Sequence, residues 1–414
     1  MLKRYRSSRG AVEPRGADLL APHLDSFAAE LRELGYAPST VREYLRLLGD
    51  LARWLRRQDL ALAHLQEPLA NQFLEARRRQ ARLRSGDAST IRHFLEHLRH
   101  RGAIPAPEPA TDESPLATLR RQFAHHLEHE RGLAAVTVVG YWPFIRRFVV
   151  ECFGDGPIAV QELAPDDIAR FLLRQARSGS PKVARLRATA LRCFFRFLFQ
   201  HGQTQSDLAR AIPTVPEWRL TEVPKYLRPE EVERVIRTCQ RDTAVARRDH
   251  AIILLLARLG LRASEVIALE LDDVDWRAGV LMVRGKGRSH DCLPLPADVG
   301  QALAHYLRHH RPSCTARRLF IRARAPHRGL AHPSSLSTIV ARALKRAGLQ
   351  PAFTGAHVLR HSLATGMLRS GASLDEIGEV LRHRAANSTE IYAKVDVRGL
   401  RSLALPWPTK GGGL

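Results

Sequence analysis

The amino-terminal half of the chain repeats itself. The segment LDSFAAELRELGYAPSTVREYLRLLGDLARWL at 24–55 parallels LRRQFAHHLEHERGLAAVTVVGYWPFIRRFVVECF at 119–153. The separation between matched landmarks grows only from 96 residues (123 − 27) to 100 residues (202 − 102). The matched pairs are Phe27 and Phe123, Gly35 and Gly132, Tyr44 and Tyr141, Phe73 and Phe171, and Gly102 and Gly202. A repeat of this length exceeds a solenoid unit and predicts a duplicated module.

Both copies have the apolar periodicity of helices. Phe27, Leu31 and Leu34 recur at helical spacing in the first copy, and Phe194 and Leu198 do so in the second. We therefore expect four or five helices in each module. A purely structural role for one copy, as a spacer or a dimerisation unit, remains an alternative.

Two proline-rich breaks suggest where domains begin and end. IPAPEPATDESP at 104–115 has few apolar anchors, and a second stretch contains Pro213, Pro216 and Pro224. The predicted organisation is a basic tail at 1–18, a first helical DNA-binding module at 19–103, a linker at 104–115, a second helical module at 116–203, a linker at 204–226, a third domain at 227–405 and a flexible tail at 406–414.

The third domain has a different pattern. Pro229 opens a helix, and AIILLLARLG predicts a buried helix that ends at Gly260. Short β-like runs follow, namely DDVDW, VLMVR and DCLPL, before helical patterns return at 298–310, 334–347, 357–369 and 373–382. Ser373 followed by Glu376 predicts a capping box. We expect a mainly helical domain with a small antiparallel sheet.

Composition limits the possible environments and partners. The net charge is 65 − 42 = +23, and this excess favours a polyanionic partner such as nucleic acid. An arginine-rich composition with solvated side chains is the alternative, because only seven of the 65 basic residues are lysine. The five cysteines form no Cys-x-x-Cys pair, and the longest apolar run, at 251–261, is too short to span a bilayer. These features predict a soluble cytoplasmic protein associated with the nucleoid.

Several basic motifs are typical of phosphate chemistry. They are Arg262 in GLRASE, Lys286 in RGKGR, His357 and Arg360 in HVLRH, His383 in LRHR, and Tyr392 nine residues later. Guanidinium groups match the geometry of a phosphate, and a tyrosine hydroxyl can serve as a nucleophile. In type, order and spacing these residues resemble the tyrosine recombinase family, also called the phage integrase family, over roughly 227–400. The usual Leu-Gly-His before the tyrosine is replaced by Leu381-Arg382-His383.

This resemblance implies a fold and a mechanism. The expected fold is mainly α, with two tandem SAM-like modules of the core-binding type before a mixed α/β catalytic domain. Arg262 and Arg360 would hold the phosphate, and Tyr392 would form a 3′-phosphotyrosyl bond. His357 would accept the tyrosine proton, Lys286 would protonate the leaving 5′ oxygen, and His383 would bind a phosphate oxygen.

The resemblance also implies a set of partners. Duplex DNA would be bound by a homo-tetramer on paired sites, or by a hetero-tetramer with co-encoded recombinases, through a Holliday-junction intermediate. Because the broken ester is stored as another phosphoester, neither a metal, ATP nor another cofactor is expected. The sequence does not distinguish integration, excision, resolution and transposition.

Two other functions are compatible with these motifs. A type IB topoisomerase uses the same chemistry to relax DNA, and the segment at 372–392 resembles a helix-turn-helix of a non-enzymatic regulator. A zinc site at His357 and His361 is disfavoured because Arg360 lies between them. The acidic residues at 272, 273 and 275 are interpreted as surface or salt-bridge residues, and the histidines at 93, 97 and 125–129 as solvated helix faces.

Further DNA contacts are predicted from charged or polar residues on the helical modules. The candidates are Thr40 and Arg42 in the first module, and Lys182, Arg185, Arg187 and Arg192 in the second. A solvated helix face is the alternative for each of them.

Overall fold

The computed structural model describes residues 20–80, 82–106, 112–154, 156–176, 180–215, 224–285, 290–351, 354–383, 385, 388–395 and 401. The chain divides into two compact units. One comprises Met1–Ala106 together with Glu222–Leu414, and the other comprises Pro107–Thr221. The predicted tails at 1–18 and 406–414 lie outside the described residues.

The first module contains four helices around one apolar core. They are α1 (Ala21–Glu33), α2 (Pro38–Arg57), α3 (Glu67–Arg79) and α4 (Asp87–His100). Proline occurs in the first turn of α1, α2 and α3. It is tolerated there because a backbone N–H in the first turn has no hydrogen-bond partner within the helix, so its absence costs nothing. Phe27, Leu51, Phe73 and Phe94 are among the buried core residues, and the predicted apolar stripe of α1 is confirmed at Phe27 and Leu31.

The second module repeats this plan in a separate core. Its helices are α5 (Pro115–His125), α6 (Ala135–Phe153), α7 (Pro165–Ala176) and α8 (Pro181–Gln200). The hydroxyls of Ser114 and Ser180 accept hydrogen bonds from the first turns of α5 and α8. A single 3-10 turn at Leu208–Ala211 packs into the same core as Phe123 and Phe194. The core of the module therefore includes residues beyond its predicted end at 203, within the predicted linker at 204–226.

The carboxyl-terminal domain is built on the buried helix α10. Its helices are α9 (Pro229–Arg237), α10 (Ala244–Arg258), α11 (Ala263–Ala268), α12 (Ala297–His305), α13 (Ser334–Arg346), α14 (His357–Arg369) and α15 (Leu374–Val380). The strands β1 (Val274–Asp275), β2 (Val280–Arg284) and β3 (His290–Pro294) form an antiparallel sheet in the order β1-β2-β3. Leu281 lies opposite both Val274 and Leu293.

Most sequence predictions for this domain are confirmed. The chain is mainly helical with a small antiparallel sheet, α10 is buried and followed by Gly260, and Ser373 and Glu376 cap α15 reciprocally. Among the described helices, none has the length and hydropathy needed to cross a membrane.

Candidate active site

Arg360 joins two loops beside α10. It is 4% exposed, and its guanidinium donates hydrogen bonds to the carbonyl oxygens of Gly260 and Leu381. Gly260 has a φ of 57°, and a Cβ there would lie 2.7 Å from Leu381 Cδ2 and 3.0 Å from Leu363 Cδ2, so this position requires glycine. A guanidinium has five N–H donors. The two bonds therefore fix Arg360 while leaving it donors with which to bind an anion.

Arg262 approaches the same loop from the start of α11. Its Nη1 donates to Glu265 Oε1 at 2.7 Å, and its Nη2 donates to the carbonyl oxygen of Arg382 at 3.3 Å. Its backbone N–H donates to Glu265 Oε2 at 2.8 Å. Both carboxylate oxygens of Glu265 therefore orient Arg262. The segment at 381–383 thus receives a hydrogen bond from each of the two arginines.

His383 lies in this positively charged cluster. Its Nδ1 is 2.7 Å from the hydroxyl of Thr389, which is buried. Burial, followed by the charges of Arg360 and Arg262, lowers the pKa of His383 to about 4. Burial and the neighbouring charges of Arg262 and Arg382 also lower the pKa of Arg360 to about 10, so that Arg360 remains charged at neutral pH.

Tyr392 is held by the second histidine of HVLRH. Its hydroxyl lies 2.9 Å from Nδ1 of His361, and the residue is 1% exposed. Burial raises the pKa of Tyr392 to about 12, although the charge of Arg360 acts in the opposite direction. Burial and the charges of His357 and Arg360 lower the pKa of His361 to about 4. A neutral imidazole therefore meets a protonated phenol.

His361 contacts Tyr392 although the sequence analysis gave it no catalytic role and considered it only as a zinc ligand. His357, the predicted proton acceptor, is exposed at the first position of α14, and its ring centroid is 6.3 Å from that of His361. His361 lies one helical turn after His357, so the two rings are on the same face of α14. This spacing is the sequence signal that could have indicated His361 as a second candidate. Lys286 lies outside the described residues, between β2 and β3.

The predicted DNA contacts have different environments. Arg42 and Lys182 are exposed, whereas Thr40 and Arg185 are half-buried. Arg192 is also half-buried and donates to the carbonyl oxygen of Pro213 at 2.7 Å.

Arg187 differs from the other candidates because it is 7% exposed. It donates to the carbonyl oxygen of Gln175 at 2.9 Å, and its guanidinium carbon lies 5.9 Å from the ring centroid of Phe144. A DNA contact by Arg187 would require the side chain to leave this buried position. The prediction that treated it as a surface cation is therefore corrected to a packed residue.

Two secondary interpretations also have outcomes. The acidic residues do form salt bridges, Asp272 with Arg317 and Asp273 with Arg284 at 2.8 Å. The interpretation of the histidines as solvated was wrong for His97 and His126, each of which is 3% exposed. Both pack against aromatic rings of their module cores, which the charge of the surrounding sequence did not reveal.

The two half-buried histidines of the site, His361 and His383, predict a pH-dependent stability. Unfolded His361 and His383 bind protons near pH 6.5, whereas the folded residues do so only near pH 4. The unfolded state therefore binds more protons in this window, and the free energy of unfolding should fall as the pH decreases from 6.5 toward 4. Urea titrations at several pH values measure this slope. His361→Asn or His383→Asn should flatten it, while the exposed-site control His64→Asn should not. Unchanged slopes in both site variants would contradict the prediction.

Comparisons with family models cover almost the whole described chain. The model described as "Phage integrase family" matches residues 225–398. The model described as "Phage integrase, N-terminal SAM-like domain" matches twice, at 24–102 and at 121–202. Because this SAM-like model matches both segments, it confirms that the two amino-terminal modules are copies of one type.

Individual relatives agree with these matches. The chain is 42% identical to a putative integrase/recombinase, y4rA, of Sinorhizobium fredii over 94% of this chain and 95% of the relative. It is 31% identical to the tyrosine recombinase XerD of Mycobacterium tuberculosis over 70% of this chain and 97% of the relative.

A solved structure shows the same fold. The structure is of the XerH site-specific recombinase bound to a palindromic difH substrate, with a TM-score of 0.52 and 19% identity over 86% of this chain and 94% of that chain. The chain therefore belongs to the phage integrase family and is a tyrosine recombinase, a DNA-binding enzyme that cuts and rejoins DNA at specific sites.

Proposed function

We propose that Tyr392 attacks a DNA phosphate that Arg262 and Arg360 hold. The observation that carries this proposal is the convergence of four chain segments through side-chain hydrogen bonds. Arg360 bonds to residues 260 and 381, Arg262 bonds to residue 382, and His361, next to Arg360, bonds to Tyr392. Guanidinium groups fixed before the reaction stabilise the charge that develops on the non-bridging oxygens, each by about 10²–10³ in rate.

The proposed step is a transesterification that balances without a cofactor. The Tyr392 oxygen forms a bond to phosphorus, the bond from phosphorus to the 5′ oxygen breaks, and a 3′-phosphotyrosyl ester remains. Lys286 supplies the proton to the leaving 5′ oxygen. A free 5′ hydroxyl later reverses the step, so that the energy of the ester is conserved. Neither a metal ion nor ATP enters this balance.

The histidines have separate roles in this proposal. His361 is neutral at physiological pH and contacts the Tyr392 hydroxyl, so we assign it as the acceptor of the tyrosine proton when Tyr392 attacks the phosphate. His357, which is exposed at the start of α14, would meet the phosphate itself. His383, fixed through Nδ1 by Thr389, would contact a phosphate oxygen.

The assembly is proposed from the family. Strand exchange between two duplexes requires four active sites, so we propose a tetramer on two paired sites, formed by this chain alone or with co-encoded recombinases. The segment at 398–407, which lies outside the described residues except Arg401, is proposed to dock on a neighbouring subunit. Each helical module is proposed to contact duplex DNA, at the chromosome in the cytoplasm.

The test is the isolation of the covalent intermediate. Nicked duplexes tiled across the DNA that flanks the gene would be incubated with the protein in EDTA and without ATP. The proposal predicts a protein–DNA adduct that survives denaturant, maps to one position in the tiled DNA, and is attached to the peptide that contains Tyr392. An adduct on another residue, or cleavage only with added metal, would contradict it.

A topoisomerase is distinguished by its indifference to sequence. A plasmid that lacks the mapped position should stay supercoiled in the presence of the protein. Relaxation of this plasmid at the rate seen with the mapped site would favour the topoisomerase, whose motifs are shared but which needs no paired sites.

A further inference from the structure

Arg382 stands where the family pattern places glycine, and its backbone shows why glycine is usual. Its φ is 55°, in the left-handed region that disfavours a side chain. Among the described residues, Asp59 is the other non-glycine with a positive φ. A strained backbone that carries a long charged side chain indicates that the side chain has a task, because glycine would avoid the strain.

The guanidinium of Arg382 is buried against a carboxylate. The side chain is 8% exposed, and its Nη2 lies 2.9 Å from Oε2 of Glu265, whose side chain is 3% exposed. The same oxygen accepts the backbone N–H of Arg262, and the other oxygen accepts Nη1 of Arg262. Glu265 is therefore shared by two arginines.

The shared carboxylate determines how much charge the site offers a phosphate. Arg262 and Glu265 alone would form a neutral pair, in which the carboxylate largely neutralises the charge of Arg262. With Arg382 present, and with the neighbouring Arg360 and Asp291 counted, the group carries 3 − 2 = +1, whereas without Arg382 it would be neutral. The positive charge needed at the phosphate is restored without removing the carboxylate that orients Arg262.

Arg382 also contacts the sheet. Its Nε lies 3.8 Å from Oδ2 of Asp291, on β3, and Asp291 pairs with Val283 on β2. These two strands flank residues 286–289, which include Lys286. The backbone carbonyl of Arg382 accepts the hydrogen bond from Arg262 described above. Arg382 thus contacts Glu265, Arg262 and the strand that follows the lysine.

We propose that Arg382 is a positioning residue, which holds Glu265 and Arg262 in place, keeps their net charge positive and ties them to β3. This inference rests on the proposed function, since it concerns how the phosphate is held. It assigns no contact between Arg382 and DNA.

The test compares three substitutions by their rates of adduct formation. Arg382→Lys keeps the charge, Arg382→Gln keeps hydrogen bonding without charge, and Arg382→Gly removes the side chain and relieves the backbone. The substrate is the nicked duplex from the flanking-DNA tiling that gives the wild-type adduct. We expect rates reduced about 10- to 100-fold for Gly and Gln, because without Arg382 the charge of Arg262 is balanced by Glu265 and stabilises the phosphate less in the transition state. Lys should recover part of the rate.

Binding and folding are measured on the same variants. The affinity for the duplex should stay within about threefold of wild type, because a buried residue makes little of the salt-dependent phosphate contact. Asp59→Gly is the matched control, since it relieves the same backbone conformation at an exposed position of the first module. It should leave the adduct rate unchanged.

Each result supports the inference or overturns it. Equal rates for Lys and Gln, or a Gly variant as fast as wild type, would show that the charge of Arg382 has no role. If the Gly variant does not fold, the comparison of Lys with Gln decides. A wild-type chain that forms no adduct overturns the proposed function first, and this is distinguishable from a wild type and variants that all react equally.

Discussion

Replacing Tyr392 with phenylalanine should abolish the covalent adduct while the chain still binds DNA. The substitution removes only the hydroxyl, so the ring continues to fill the cluster formed by Ala364, Ile377 and Leu381. Loss of the nucleophile should reduce strand cleavage by at least about 10⁴-fold. Loss of the hydrogen bond to His361 should lower the free energy of unfolding by only about 1 kcal/mol. Denaturing gels of nicked duplex, together with a binding titration, measure both effects.

Tyr306→Phe is the matched control for this experiment. Tyr306 is also 1% exposed, and its hydroxyl accepts a hydrogen bond from the backbone of Ile321 at 3.5 Å. The Tyr306→Phe variant should lose a similar amount of stability and still form the covalent protein–DNA adduct. If the Tyr392 variant continued to form adducts, another residue would be the nucleophile, and the roles proposed for His361 and Arg360 would fail with it.

Replacing Arg360 with lysine should damage both catalysis and folding. Lysine keeps the charge but has no planar fork with which to reach the carbonyl oxygens of Gly260 and Leu381 together. We expect cleavage to slow by about 10²–10³-fold. Leaving buried carbonyl oxygens without a donor should lower the free energy of unfolding by about 2–4 kcal/mol. Single-turnover cleavage and urea titrations at neutral pH measure the two quantities.

Arg258→Lys provides the control for a surface arginine. Arg258 pairs with Glu233 and Asp298 at the end of α10, with its side chain 33% exposed. Exposed ion pairs contribute about 0–1 kcal/mol, so this variant should be nearly as stable and as active as wild type. A similar loss in both variants would mean that the two carbonyl contacts of Arg360 have no special weight.

Local sequence signals predicted the elements of the carboxyl-terminal domain well. Proline at the start of α9, the capping box of α15 and the apolar run of α10 each depend on residues within a few positions of one another. Helix periodicity does not depend on distant contacts. The internal repeat also predicted the two modules correctly, because aligning one copy with the other shows which positions they share.

Contacts between residues far apart in the sequence could not be predicted from these local signals. Tyr392 and His361 are 31 positions apart, and Arg382 and Glu265 are 117 apart. Which ring of HVLRH meets the tyrosine depends on the rotation of α14 against the segment at 390–395. The burial of Arg187 similarly depends on which face of α8 packs inward. Its charge alone predicted an exposed side chain.

The burial of Tyr392 has a consequence for the cell. A hydroxyl group with almost no exposed surface cannot touch a duplex that merely collides with the protein. On the mechanism proposed above, the chain must rearrange around residues 388–395 before Tyr392 can break a strand, so contact with chromosomal DNA would not by itself nick it. Burial of the proposed nucleophile would therefore protect the chromosome from accidental cleavage, because only a rearranged complex with DNA would expose the Tyr392 hydroxyl.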